Sequence, residues 1–241
     1  MKSFNTQFIT SIADVAPHEW NALTGRDYPF LRHEFLLALE QSGSVAPDTG
    51  WTPQHYTLRD DTGRLIAAAP AYLKDHSYGE YVFDWSWAHA YQQNRLAYYP
   101  KLLTAVPFTP SVGPRLRLHP DHDLASLTRR YITDTLTYCQ NQNLSSWHLL
   151  FPETDQDQHI TQTNTLMKRV GVQYHWYNYN YNTFEDYLAE MKARKRNSIR
   201  KERAKVAAQG ITFEHITGRD LTPTQREHAM KKYGHYLQGD S

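Results

Sequence analysis

Apolar positions in the first third of the chain recur at helical spacing and then switch to alternation. Asp14 to Leu23 carries Val15, Trp20 and Leu23 and stops at Gly25, a residue suited to follow a helix end. His33 to Ser42 places Phe35, Leu36 and Leu39 on one face and stops at Gly43. Gln54 to Arg59 and Arg64 to Leu73 flank Asp60-Asp61-Thr62-Gly63, whose glycine can take a positive φ, so a β-hairpin is expected. Tyr81, Phe83, Trp85 and Trp87 then alternate with Glu80, Val82, Asp84 and Ser86, which predicts an extended segment with one aromatic and one polar face. Pro100, Pro107, Pro110 and Pro114 predict a long, mostly irregular stretch after it.

The second half returns to helix and strand in turn. A helix is predicted from Asp123 to about Gln142, a strand from Ser146 to Phe151, a helix from Gln156 to Arg169 and a strand from Val172 to Tyr179. Thr183 followed three residues later by Asp186 has a capping pattern, and Phe184, Tyr187, Leu188 and Met191 fall on one helical face. A basic helical piece reaches Gly210, followed by a strand over Ile211 to Ile216 and a polar helix from about Thr222. Helix–helix–hairpin followed by helix–strand–helix–strand is an α/β (α+β) layout. The Tyr-Asn repeat near Asn178 to Asn182 marks the expected boundary, giving domains over 1–177 and 178–241.

Composition narrows the class. The 241 residues are 40% hydrophobic and 13% aromatic, enough to bury a core and too much for a disordered chain. The apolar run Leu65 to Ala69 is far short of the roughly 18 residues of a membrane span, and the N-terminus has no apolar signal-like region. These features predict a cytoplasmic protein with no transmembrane segment. A lone cysteine, Cys139, excludes an internal disulfide framework and a multi-cysteine zinc site, and reads as a small apolar helix residue. His119-Pro120-Asp121-His122-Asp123 reads as a helix cap with surface histidines rather than a metal site. Gly-x-Ser-x-Gly, P-loop and Gly-x-Gly-x-x-Gly motifs are absent from the sequence.

Charge is uneven along the chain. Between Lys192 and Lys205 eight basic residues against the one acid Glu202 give +7, which leaves −6 for the rest of a chain whose net charge is +1. At about 100° per residue Lys192, Arg196, Arg200 and Arg203 share one stripe, with Ile199 and Val206 on the neighbouring apolar one. Such a ridge suits phosphates; the plainer alternative is a solvated helix face. Glu80 and Asp84, among Tyr81, Trp85 and Trp87, are the candidate catalytic pair. Two nearby carboxylates beside aromatic rings can have raised pKa values and take a proton from an amine. The alternative is a core of aromatics with the carboxylates solvated or paired to arginine.

Several stretches resemble the bacterial FemAB-like proteins of the GNAT superfamily. They are Asp48-Thr49-Gly50-Trp51-Thr52-Pro53-Gln54-His55, Ser77 to Trp85, Tyr99-Pro100-Lys101-Leu102-Leu103, Val106 to Pro110 and Gly113-Pro114-Arg115-Leu116. Lys195 to Glu202 with Gly210-Ile211 is similar to that family's basic helix and following strand. The resemblance implies tandem GNAT-like domains, each a mixed sheet flanked by helices, the second lacking its C-terminal core. It also implies a peptidoglycan-related or other acyl or aminoacyl transfer to an amine. The donor would be acyl-CoA or an aminoacyl-tRNA, the acceptor a small molecule or cell-wall precursor, with no metal or tightly bound cofactor. In that frame the acceptor amine is deprotonated by Asp84 or Glu80, or by water. Tyr81, Trp85 and Trp87 form the pocket wall, and Lys101 and Arg115 neutralise an anionic substrate. Lys192, Arg196, Arg200 and Arg203 meet the phosphates of tRNA or of a nucleotide-linked donor. The Gly-rich turn that binds the CoA pyrophosphate in GNAT enzymes is not found in this sequence. The rival expectations are a non-catalytic binding module for RNA or an anionic cell-wall precursor, and an inactive fragment.

Overall fold

Two long hairpin arms organise the computed structural model, which describes residues 4–82, 84–163, 165–217 and 219–228. The first arm runs through β2 (Trp51–Pro53) and β3 (His55–Arg59), the second through β4 (Leu65–Ala69) and β5 (Ala71–Lys74). Each arm breaks once, at Gln54 and at Pro70, and Pro70 has no N–H to give to a ladder. The arms stay tied across the break, because Gln54 N donates to Ala71 O at 2.7 Å. Beyond it they part into different sheets.

With β1 (Asn5–Ile9) and β7 (Arg117–Leu118), the described strands β3 and β4 form an antiparallel sheet of order β1-β3-β4-β7. With β6 (Lys101–Thr104) and β8 (Trp147–Leu149), β2 and β5 form a second sheet, β2-β5-β6-β8, whose last pair is parallel. Every residue of β4 is buried, so this strand lacks the alternation of a half-exposed one. Helices α1 (Pro17–Thr24) and α2 (His33–Gln41) bring Trp20 and Leu36 onto Leu65 and Ala68. Helix α4 (Leu124–Asn141) brings Leu127, Tyr131 and Ile132 onto Tyr56, Leu58 and Ile66. Asp123 caps α4 by accepting from Ser126 N at 3.0 Å. Cys139 is buried in α4, and burial pushes its thiol up to about 11. The result is the mixed α/β layout expected, with helices flanking both sheets. No described helix is long and apolar enough to cross a membrane.

The structure departs from the expected elements at several places. Residues 85–93 form helix α3 (Trp85–Gln93), not an extended segment, and Phe83 lies outside the described residues. Within the proline-rich stretch, Lys101–Thr104 is a fully buried central strand. The helix expected to reach Arg169 is α5 (Thr154–Thr161).

The chain divides into two units, 1–170 and 171–241. In the second, α6 (Phe184–Ala189) opens with a reciprocal cap: Thr183 Oγ1 accepts from Asp186 N at 3.2 Å and Asp186 Oδ2 accepts from Thr183 N at 2.8 Å. Helix α7 (Ala193–Ala208) holds the basic segment, and 223–228 are helical. The strands expected over 172–179 and 211–216 have no ladder partner among the described residues.

Candidate active site

Lys74 ends β5 and Lys101 begins β6, and the two are Cα partners across the sheet. Between them the chain leaves the sheet, turns at 75–84, forms α3 and returns through Tyr98 and Tyr99. This excursion delivers Ser77 and Glu80 from the turn and Asp84 from the position preceding α3. Strand β8, beside β6, adds His148 opposite Leu103.

All of these converge on the Lys101 ammonium. It donates to Ser77 Oγ at 3.0 Å, Glu80 Oε2 at 2.9 Å and Asp84 Oδ2 at 2.5 Å, which uses its three hydrogens. Tyr98 Oη donates to Asp84 Oδ2 at 2.5 Å, and His148 Nδ1 lies 3.8 Å from the same oxygen. Ser77 Oγ and Tyr99 Oη share a hydrogen bond of 2.8 Å. Lys101, Glu80 and Asp84 are all buried. The outer oxygens, Glu80 Oε1 and Asp84 Oδ1, are buried and have no hydrogen-bond partner among the described residues. An ion cluster kept only for stability is expected to satisfy such atoms, each orphan costing about 1–3 kcal/mol.

The electrostatics separate the two carboxyls. Burial opposes charge on Asp84, but hydrogen bonds from Lys101, Ser77 and Tyr98 outweigh it and hold the carboxyl below its ordinary value. For Glu80 burial wins over Lys101, and its pKa is raised. Burial, then the adjacent Asp84, raises the Tyr98 phenol, so it stays neutral. Burial pushes His148 down to about 4, helped by Lys101. Near neutral pH the site therefore holds an ionised Asp84, a protonated phenol on it and a neutral imidazole.

A cleft of about 850 Å³ lies over this cluster, with Ser77, Tyr98 and Tyr99 in its lining. Tyr78 and Trp85 add exposed rings, and His76, His89 and Arg95 add polar groups. Trp85 thus sits where the pocket wall was expected, while Tyr81 and Trp87 are not among the lining residues. Glu80 and Asp84 lie behind the lining and reach it through Tyr98, and through Lys101 and Ser77.

Lys101 and Arg115, expected to face an anionic substrate, turn inward. Lys101 is spent on the carboxylates. The fully buried guanidinium of Arg115 donates to the carbonyls of Leu150 (2.7 Å), Pro114 (3.2 Å) and Ser111 and to Tyr28 Oη (3.4 Å). It pins a loop. Ser77, Tyr98, Tyr99 and His148 were not singled out from sequence. The available signal was a lysine at the edge of each of two otherwise uncharged, buried strands.

The basic ridge is partly committed within its own unit. Arg196 donates to Ala189 O at 3.4 Å, Arg200 pairs with Glu185, and Arg203 lies 4.5 Å over the Phe184 ring. Lys192 occupies the position before α7. On the other side of the helix Arg194, Lys201 and Lys205 have no ion-pair partner among the described residues.

A family model for FemAB-like proteins, described as peptidoglycan biosynthesis/recognition, matches residues 11–239. No curated protein matches the sequence. Among solved structures the chain is similar to an aminoglycoside N-acetyltransferase, AAC(6')-Iy, in complex with CoA (TM-score 0.46, 12% identity, 74% of this chain and 97% of that one). It is also similar to AAC(6')-Ih from Acinetobacter baumannii (TM-score 0.42, 12% identity, 73% and 99%). A third is a ribosomal-protein-alanine N-acetyltransferase from Brucella melitensis biovar Abortus (TM-score 0.42, 13% identity, 73% and 99%).

Proposed function

This chain belongs to the FemAB-like family of peptidoglycan biosynthesis and recognition, and we propose that it is an N-acyltransferase for an amine of a cell-wall precursor. The acceptor amine enters the cleft lined by Trp85, Tyr98 and Tyr99. Tyr98 already donates its hydrogen to Asp84, and its oxygen, which lies 3.4 Å from His148 Nε2, keeps a second lone pair to accept a hydrogen from the amine. As the nitrogen attacks the donor carbonyl, the amine proton passes to Tyr98 Oη and the phenol proton passes to Asp84. The new C–N bond forms, the bond from the acyl carbon to its carrier breaks, and the carrier leaves with the electron pair. Lys101 holds Asp84 ionised beforehand. The buried carboxylate acts through the phenol rather than by touching substrate.

The donor is an activated acyl group on a phosphate-bearing carrier, acyl-CoA or aminoacyl-tRNA. The excess charge of the α7 segment suits either. The observation that carries the proposal is the buried Lys101–Asp84–Glu80 cluster, with acceptor oxygens unpartnered among the described residues and a 2.5 Å phenol link to the cleft. The test offers a cell-wall precursor bearing a free amine with each donor class and follows the acceptor's mass gain. The withdrawal of both carboxyls from the cleft lining favours one second reading, recognition without transfer. That reading predicts precursor binding with no mass gain under any donor.

A further inference from the structure

Each acyl transfer leaves Asp84 holding the phenol proton, and the next turnover needs that carboxyl ionised again. Asp84 is fully buried, so water does not take the proton directly. Most of its neighbours lead nowhere useful. Lys101 is an ammonium whose three hydrogens go to Ser77, Glu80 and Asp84 itself. Glu80 meets Asp84 through that same ammonium. Tyr98 has just taken the amine's proton, and Ser77 leads to Tyr99, which lines the cleft the acceptor occupies. His148 points another way. It sits on β8, the last strand of its sheet among the described strands, and neither it nor Ser146 lines the cleft.

The distances around the imidazole assign its hydrogen. Nδ1 lies 3.8 Å from Asp84 Oδ2, while Nε2 lies 3.1 Å from Ser146 Oγ and 3.4 Å from Tyr98 Oη. A hydrogen on Nδ1 would draw the ionised Asp84 into a charge-assisted bond of about 2.7–2.9 Å. Two facing lone pairs hold the gap open instead, so the hydrogen sits on Nε2 and is donated to Ser146. Once Asp84 carries the phenol proton, an O–H donor faces a bare nitrogen and the pair is drawn together. The His148 side chain is 19% exposed against 1% for Asp84, so the ring joins the buried carboxyl to the sheet edge. Burial, with Lys101 and Arg169, outweighs Asp84 and disfavours a lasting imidazolium. A proton that reaches the ring is passed on.

We propose that His148 resets the site by carrying the proton from Asp84 to the β8 edge, away from the cleft. The O–H bond of Asp84 breaks as an N–H bond forms at Nδ1. The imidazolium gives its Nε2 hydrogen to Ser146 Oγ, whose own hydrogen goes to water, and exchange with water restores the starting tautomer. His148 touches no substrate and acts through Asp84, so this role rests on the acyl-transfer reading. The test measures steady-state transfer to a lysine-containing muropeptide near neutral pH, with acetyl-CoA and, in a second arm, alanyl-tRNA as donor. Proton exit follows transfer, so His148→Gln should lower kcat about tenfold or more while kcat/KM for the acceptor holds. His148→Ala leaves room for a free ring, and added imidazole should restore its kcat. In the unaltered chain the ¹⁵N shifts of His148 should place the hydrogen on Nε2. An unchanged kcat, an equal fall in kcat/KM, no rescue by imidazole, or a hydrogen on Nδ1 would each overturn the exit and leave acyl transfer standing. No transfer by the unaltered chain from either donor would remove the acyl-transfer reading, and the exit with it.

Discussion

Lys74 and Lys101 stand directly opposite each other on adjacent strands, both buried, and the fold settles the two charges differently. Lys101 is neutralised by Glu80 and Asp84. Lys74 Nζ lies 3.8 Å over the Trp51 ring and donates to Tyr78 O at 3.3 Å, and burial pushes its pKa down to about 7. Between that value and the ordinary 10.5 the unfolded chain holds the extra proton, so raising the pH favours the folded state. The urea midpoint should rise from pH 7 to pH 9, and Lys74→Met should flatten the rise. An equal rise in both proteins would show that another group is responsible.

His148 gives a second pH window. Its imidazole titrates near 4 when folded and near 6.5 when unfolded, so the unfolded chain again binds more protons between these values. Stability should fall as pH drops from about 6.5 to about 4, and less steeply in His148→Gln. Thermal melts of the two proteins across that range give the comparison; parallel curves would contradict the assignment.

Gly79 and Gly63 should respond differently to alanine. Both have positive φ, 79° and 84°, but a Cβ at Gly79 would stand 2.7 Å from the Phe108 ring, whereas Gly63 faces open space. Gly63→Ala should cost about 1 kcal/mol for the backbone alone. Overpacking adds about 1–3 kcal/mol at Gly79. Chemical denaturation of both variants checks this, and equal losses would mean that the 75–84 turn yields easily.

Polyanion binding by α7 should depend more on its open side than on its committed ridge. Removing a cation that neutralises one phosphate lowers the log–log salt slope by about 1. Lys201→Gln with Lys205→Gln should flatten RNA or CoA binding across a salt series more than Arg196→Gln with Arg200→Gln. The reverse order would return the role to the ridge, and identical slopes in all three proteins would leave α7 a solvated helix.

The hairpin, α1, α2 and α4 were legible because each shows one apolar face to the core over enough residues to fix its period. Helix α3 was not. Trp85, Ala88, His89 and Gln92 have helical spacing, but that face borders a cleft instead of a core, and the short aromatic alternation from Tyr81 to Trp87 masked it. Alternation over 172–179 and 211–216 says which residues share a side, and nothing in a local pattern supplies a ladder partner. At the candidate site the paired carboxylates were visible as a pair. Their commitment to Lys101 was not, since Lys101 is 17 residues from Asp84 and Tyr98 lies 50 residues from His148. Arg115 misled for the same reason: its carbonyl partners reach as far as Leu150.

The measurement closest to the central claim is the turnover of amine acylation by Tyr98→Phe beside the unaltered chain. The substitution keeps the ring in the cleft and removes only the hydroxyl that joins the acceptor's proton to Asp84. General-base steps contribute about 10²–10⁴-fold, so kcat should fall at least a hundredfold with KM little changed and the fold intact. An undiminished kcat would mean that the proton does not leave through Tyr98 and that the buried cluster serves the fold rather than the reaction.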